Sequence, residues 1–251
     1  NKEDGSKEFI VSDSSQVFST EDWNTYTFIS SGLTTTVGLD CTQLRKKVWC
    51  TNGSDSVFTW DGTNKVVLDG TGGTPNVPKF RYIDSYHERI WGLNTSANGS
   101  SLDFNTLVTT SGIQIAPDDS RAWPLTNSIN FGQGDGEVGT GLFVKDGKLY
   151  GTKENSVWIV HGTNPTSYFT QKIIADVGNL FNESIVQQDN LVYWVWRDGI
   201  YAFNGGRVSR ISDLISPDIE AVLKGGVRIV ENMWETQAQF AKGAFYGSTA
   251  T

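Results

Sequence analysis

Six carboxylates are the side chains most suited to chemistry: Asp40, Asp84, Glu88, Asp135, Glu137 and Asp189. Glycoside hydrolysis would need two of them about 5–10 Å apart in one pocket, as acid and as base or nucleophile. Most instead fall in hairpin turns or Gly-rich loops, where Asp is favoured because its side chain bonds nearby backbone. Turn chemistry is therefore the preferred reading. The run Phe131-Gly-Gln-Gly-Asp-Gly-Glu137 could offer Asp135 and Glu137 to Ca²⁺. It lacks oxygen ligands at alternate positions. No helix follows it to make a dinucleotide site. It reads as a tight loop.

Nucleophilic triads fail on inventory. No G-x-S-x-G occurs, and the histidines are His87, in the turn Ser85-Tyr86-His87-Glu88, and His161, after an apolar strand. Cys41 and Cys50 sit nine apart without zinc-ligand spacing. They read as two small buried hydrophobes, with a disulfide across a hairpin turning near Gln43 to Lys47 as the alternative. The expectation is no catalytic residue, no metal and no cofactor. Of the tryptophans, Trp49, Trp60, Trp91, Trp158, Trp194 and Trp196 recur on strands and suit packing. Trp23 and Trp123 fall in loops and are the candidates for a contact surface.

The elements that carry these residues follow from composition and repeats. The chain has 251 residues, of which 37% are hydrophobic and 19% charged. Gly, Thr, Ser and Asn supply more than a third of it. Aromatics reach 12%, too many for a disordered chain. Small polar residues with Thr, Val, Tyr and Trp suit strands and turns, which argues against a helical bundle. The net charge of −8 disfavours a grip on phosphate backbones. No run of 18 apolar residues offers a membrane span. The first residue is Asn1 and the one methionine is Met233, which predicts a processed product or a piece of a longer chain.

A unit of short strands recurs from Thr35, Lys79, Gly141 and Ser184. Its second strands align on Val48-Trp49, Ile90-Trp91, Leu149-Tyr150 and Val192-Tyr193, spaced 42, 59 and 43 apart. The long interval holds an insertion from Leu107 to Asp135. Four short strands every 40 to 50 residues mark a β-propeller blade. Lys7 to Ile29 parallels the later part of a unit, and the last sixteen residues parallel an opening, with Ala244-Phe245 matching Leu149-Tyr150. The reading is an all-β propeller of five four-stranded blades, six being the alternative. It forms one domain over 1–251, closed by pairing 1–32 with 236–251. A short helix is expected at 217–224, from Ser216-Pro217 at its start and Gly225 at its end.

Several segments in order resemble β-propeller virion proteins of tailed bacteriophages. They are Arg89-Ile90-Trp91, Trp123-Pro124, Phe131 to Gly136, Lys153 to Gly162, Arg197 to Gly205 and Val208 to Ile211. The resemblance covers about residues 80 to 215. It implies a non-enzymatic tail component of nozzle, hub or tail-closing type, located in the virion. Such proteins assemble in rings with copies of themselves and other tail proteins around the DNA-exit channel. The acidic charge suits a conduit that does not hold DNA. The rival readings are a propeller that binds host-surface carbohydrate and a glycoside hydrolase.

Overall fold

A computed structural model of the protein describes residues 8–13, 15–34, 38–132 and 134–212. The expected helix at 217–224 and the closing segment 236–251 lie outside these residues. Within them the protein is all-β, apart from one 3-10 turn at Asn182–Ser184. Nineteen strands form five antiparallel sheets.

The first sheet holds β1 (Phe9–Asp13), β2 (Gln16–Thr20) and β3 (Thr27–Ser30). The second holds β4 (Asp40–Leu44), β5 (Lys47–Thr51), β6 (Phe58–Trp60) and β7 (Lys65–Val67). The third holds β8 (Phe80–Tyr86), β9 (Arg89–Thr95), β10 (Ser101–Phe104) and β11 (Ser128–Asn130). The fourth holds β12 (Gly139–Lys145), β13 (Lys148–Lys153), β14 (Ser156–His161) and β15 (Phe169–Ala175). The fifth holds β16 (Val186–Gln188), β17 (Leu191–Trp196), β18 (Gly199–Phe203) and β19 (Val208–Arg210).

Each sheet is a meander in chain order, as expected of a propeller-like blade. The first shows three strands among the described residues, at the place where Lys7 to Ile29 is read as the later part of a unit: its β1 matches the second strand of the other units. The insertion also differs. It is interrupted by β11, so the long segment joins the third and fourth strands of one sheet.

Hairpin chemistry repeats with the sheets. The first and second strands of the four complete units are joined by two-residue turns, opened by Arg45, His87, Asp146 and Asp189. All four residues have φ between 49° and 56°. Tight hairpins require that left-handed conformation to match the strand twist. Asp tolerates it, whereas Arg and His carry a steric cost that the paired strands must offset.

The chain divides into two compact units, residues 1–133 with 162–169 and residues 134–161 with 170–251. In the first, Trp49, Val57, Leu68, Phe80, Ile83 and Ile90 pack between the second and third sheets. Val17, Ile29, Cys50, Phe58 and Trp60 pack between the first and second. In the second unit, Phe143, Tyr150, Val157, Val192, Trp194 and Phe203 fill the space between the fourth and fifth sheets. Each such aromatic hides roughly 150–250 Å² of its own surface, so these rings dominate the packing.

Polar bonds join neighbouring sheets beside those cores. Ile83 N–H donates to Asp40 Oδ2 at 2.9 Å, and Thr42 Oγ1 donates to Asp84 Oδ1 at 3.1 Å. In the second unit, Leu142 N–H donates to Asn182 Oδ1 at 3.0 Å and Trp196 Nε1 donates to the Glu154 carbonyl at 2.7 Å. Partners lie 40 to 43 residues apart in these four bonds, which is one repeat.

Cys41 and Cys50 are joined as a disulfide, with their Cα atoms 4.2 Å apart. This corrects the preference for two free buried thiols. The two residues are directly opposed across β4 and β5, so their side chains share one face at bonding distance.

Candidate contact surfaces

The structure puts the six carboxylates to separate scaffold uses. Asp40 and Asp84 accept the bonds between sheets just described. Glu88 meets Arg45 at 3.5 Å on the surface, one repeat away. Asp189 opens a hairpin turn.

The Asp135 carboxylate and the Glu137 carbonyl accept from the buried Lys153 ammonium. Lys153 Nζ lies 2.7 and 2.9 Å from the two Asp135 carboxylate oxygens and donates to the Glu137 carbonyl at 3.1 Å. Asn155 Nδ2 donates to the Glu137 carboxylate. The Lys153 side chain has 0% exposure. Partial burial alone would raise the Asp135 carboxyl, but hydrogen bonds from Lys153 and from the Glu137 amide hold it below the ordinary 3.8. The Gly-rich loop is thus tied to β13 by an ion pair whose lysine is buried and whose carboxylate stays partly exposed. Among the described residues, no group of three or more His, Cys, Asp or Glu is arranged to hold a metal ion.

Sequence reasoning passed over two polar groups, one buried and one half-buried. Lys145, also fully buried, donates to Asn190 Oδ1 at 3.0 Å and to Asp146. It shares a strand face with the buried Gly141 and Phe143, so its position and not its residue type points to burial. Asp103 on β10 is pushed above its ordinary value by burial, against hydrogen bonds from Ser101 and Ser128. Asp103 lies on the strand face opposite to Leu102 and Phe104, beside the buried Ser101.

Trp23 is 56% exposed. It follows β2 with φ of 62°, which is unusual for a bulky residue. Four hydrogen bonds define this turn. Asp22 Oδ1 accepts from the Asn24 and Thr25 amides, Trp23 N–H donates to Thr20 Oγ1, and Tyr26 Oη donates to the Trp23 carbonyl. The same amides of Thr25 and Asn24 draw the Asp22 carboxyl below its usual value. Phe9 lies behind the indole at 5.0 Å. Strand register puts Phe9, Val11, Phe18 and Phe28 on one face of the first sheet, and Phe9 and Phe28 are exposed. The opposite face carries Ile10, Val17 and Ile29 into the core.

Trp123 has a different place. Its ring tilts against Phe80 at 5.4 Å and its Nε1 donates to the Pro117 carbonyl at 2.9 Å. It roots the insertion between β10 and β11. Ala122 and Ile115 are buried there, and Lys47 pairs with Asp118. Arg121 forks onto Asp119 and lowers that carboxyl to about 2. From this rooted base the insertion presents apolar groups outward: Leu125 is 98% exposed and Ile113 54%. Exposed Val108 completes the set.

No protein-family model and no curated protein matches the chain. Among solved structures, it is similar to YCF48 from Cyanidioschyzon merolae, with 12% identity and a TM-score of 0.50 over 83% of this chain and 70% of that one. It is also similar to the extracellular domain of the hybrid two-component system BT4673 from B. thetaiotaomicron, with 11% identity and a TM-score of 0.47 over 81% of this chain. There it spans 27% of the other chain's length. At such identity the likeness to YCF48 shows the fold alone, all-β and propeller-like.

Proposed function

We propose that the chain is a closed five-bladed β-propeller and a non-enzymatic structural part of a tailed-phage virion. In this reading it is a nozzle, hub or tail-closing protein, ringed with its own copies and other tail proteins around the DNA-exit channel. The observation that carries the assembly role is the insertion between β10 and β11. It is anchored by Trp123, Ala122 and Ile115 yet turns Leu125 and Ile113 to solvent. Exposed apolar groups on a rooted base are the marks of a protein contact.

Three further features support the reading. Asp40, Asp84, Asp135 and Glu137 all serve the scaffold. The Cys41–Cys50 disulfide suits a life outside the reducing cytosol, as on a virion. The net charge of −8 suits a channel wall that repels phosphate. Closure is supported by the two end sheets. The first has its aromatic face at Phe9, Phe18 and Phe28, and the fifth has Tyr193, Val195 and Ile200 on the face away from the core of its own unit.

Light scattering on the purified chain, with negative-stain imaging, tests this function. The expected result is a ring of several copies that falls apart in the Ile113→Asp/Leu125→Asp variant while its circular dichroism is unchanged. A monomer at every concentration that binds a glycan array would overturn it in favour of carbohydrate recognition.

A further inference from the structure

Where the first sheet meets the β6–β7 turn of the second, a pocket of about 280 Å³ opens. That is the small end of the range for ligand sites. Strand register explains its lining. Ile10 is opposite Ser19, and Ser19 is opposite Thr27. Side chains alternate along a strand, so Glu8, Ser19 and Thr27 fall on one side. This is the side away from the aromatic face of Phe9, Phe18 and Phe28. Glu21 and Asp22 enter from the turn after β2, and Gly62 faces them from the second sheet.

Two independent observations bear on what the pocket takes. Its charged lining consists of three carboxylates, those of Glu8, Glu21 and Asp22, with no lysine or arginine beside them. Two of the three are fixed in place. The Asn24 and Thr25 amides donate to Asp22 Oδ1 at 2.9 and 2.8 Å, and Trp60 Nε1 donates to Glu8 Oε1 at 3.3 Å. The second observation is Ser19. It is 1% exposed, lines the pocket, and its Oγ has no hydrogen-bond partner. Buried hydroxyls are as a rule paired, because an unmade bond there carries the cost of lost hydration. Ser19 Oγ therefore marks a point where a ligand's polar atom would be held.

Ionised carboxylates only accept hydrogen bonds, whereas an ammonium brings three donors and a positive charge. A metal ion needs its carboxylates drawn tightly together, and among the described residues no such group exists. Carboxylates set apart around a pocket suit a longer cation whose charges are also apart. We propose that this pocket binds a linear aliphatic diamine or polyamine, with its ammonium groups donating to Ser19 Oγ and to the surrounding carboxylates. The site goes beyond the virion role and is independent of ring closure, since all its residues belong to one compact unit.

Isothermal titration calorimetry of the full chain with putrescine tests this. A single saturable site is expected, and the uncharged butanediol of the same chain length should give none. Ser19→Ala removes a hydroxyl that holds no other group, so its Tm should be unchanged or higher. Its affinity for putrescine should be about tenfold weaker, the worth of one charge-assisted hydrogen bond. Asp22→Asn keeps an acceptor for the Asn24 and Thr25 amides and should weaken binding likewise. Unchanged affinity in Ser19→Ala would overturn the proposal, because diffuse attraction to an acidic chain does not depend on that hydroxyl. Calcium chloride competing at equal concentration would overturn it in favour of a metal site. No heat from putrescine at millimolar concentration would overturn it outright.

Discussion

Lys153 is bound by both carboxylate oxygens of Asp135, at 2.7 and 2.9 Å, across eighteen residues and with no exposure of its own side chain. The pair fastens the Gly-rich loop to β13, so its loss should be felt as lost stability. Lys153→Met leaves Asp135 without its cation and is expected to lower the unfolding free energy by about 1 kcal/mol, since that carboxylate keeps part of its hydration. Urea titration measures it, and the double variant with Asp135→Leu should regain a good part. The pair also sets an acid sensitivity. Asp135 has a lower pKa folded than its ordinary 3.8. Its contribution is therefore complete above 3.8 and disappears as the pH falls through the folded value. Asp135→Asn should be less stable at pH 7 and show a flatter acid limb; an unchanged limb would refute the assignment.

Asp103 has the opposite sign. Burial raises its folded pKa, so ionisation works against the fold at neutral pH and the penalty is relieved as the pH drops towards 3.8. Asp103→Asn keeps an acceptor for Ser101 and removes the charge. The expected outcome is a Tm higher by roughly 1–3 °C at pH 7. The gain should vanish in acid, which calorimetry at the two pH values would show.

Gly92 is required by a ring. A Cβ placed on it would fall 2.1–2.3 Å from Phe80 ring carbons. Phe80 covers the gap that Gly92 leaves in its cross-strand neighbourhood, so neither can grow. Gly92→Ala should cost about 3 kcal/mol or more. Phe80→Leu in the same chain should return part of that; a fully additive double variant would show that the two residues do not meet.

The Cys41–Cys50 bond closes a short hairpin, for which loop closure contributes about 2 kcal/mol. Replacing both by Ala should lower stability by that order. A mass showing two free thiols in protein purified without reductant would contradict the bond itself.

Much of the fold was legible because the repeat acts at positions that packing makes obligatory. Trp49, Trp91 and Tyr150 are almost fully buried, and only large apolar residues fill those places. Asp146-Gly147 announced its turn. Arg45 and His87 open equivalent turns and did not, since neither is followed by the glycine that marks such a turn. The last unit is aligned on Val192-Tyr193, and the register keeps that alignment, since Lys148 and Leu191 each follow a two-residue turn; Tyr193 lies on the face opposite to the core residues Val192 and Trp194. The surface roles of Trp23 and Trp123 looked alike in loops. Only the third dimension separates a ring propped on Phe9 in solvent from one laid on Phe80. Lys145 and Lys153 were illegible for a simple reason. A lysine is assumed to be wet, and the partners that allow these two to be dry are set by folding.

Four of the bonds between neighbouring sheets each span a single repeat, as between Asp40 and Ile83 or Glu154 and Trp196. A growing polypeptide can thus complete every such bond as soon as the following unit has left the ribosome, without waiting for its far end. Assembly can proceed vectorially, sheet upon sheet, and duplication of one unit would bring its own adhesive with it.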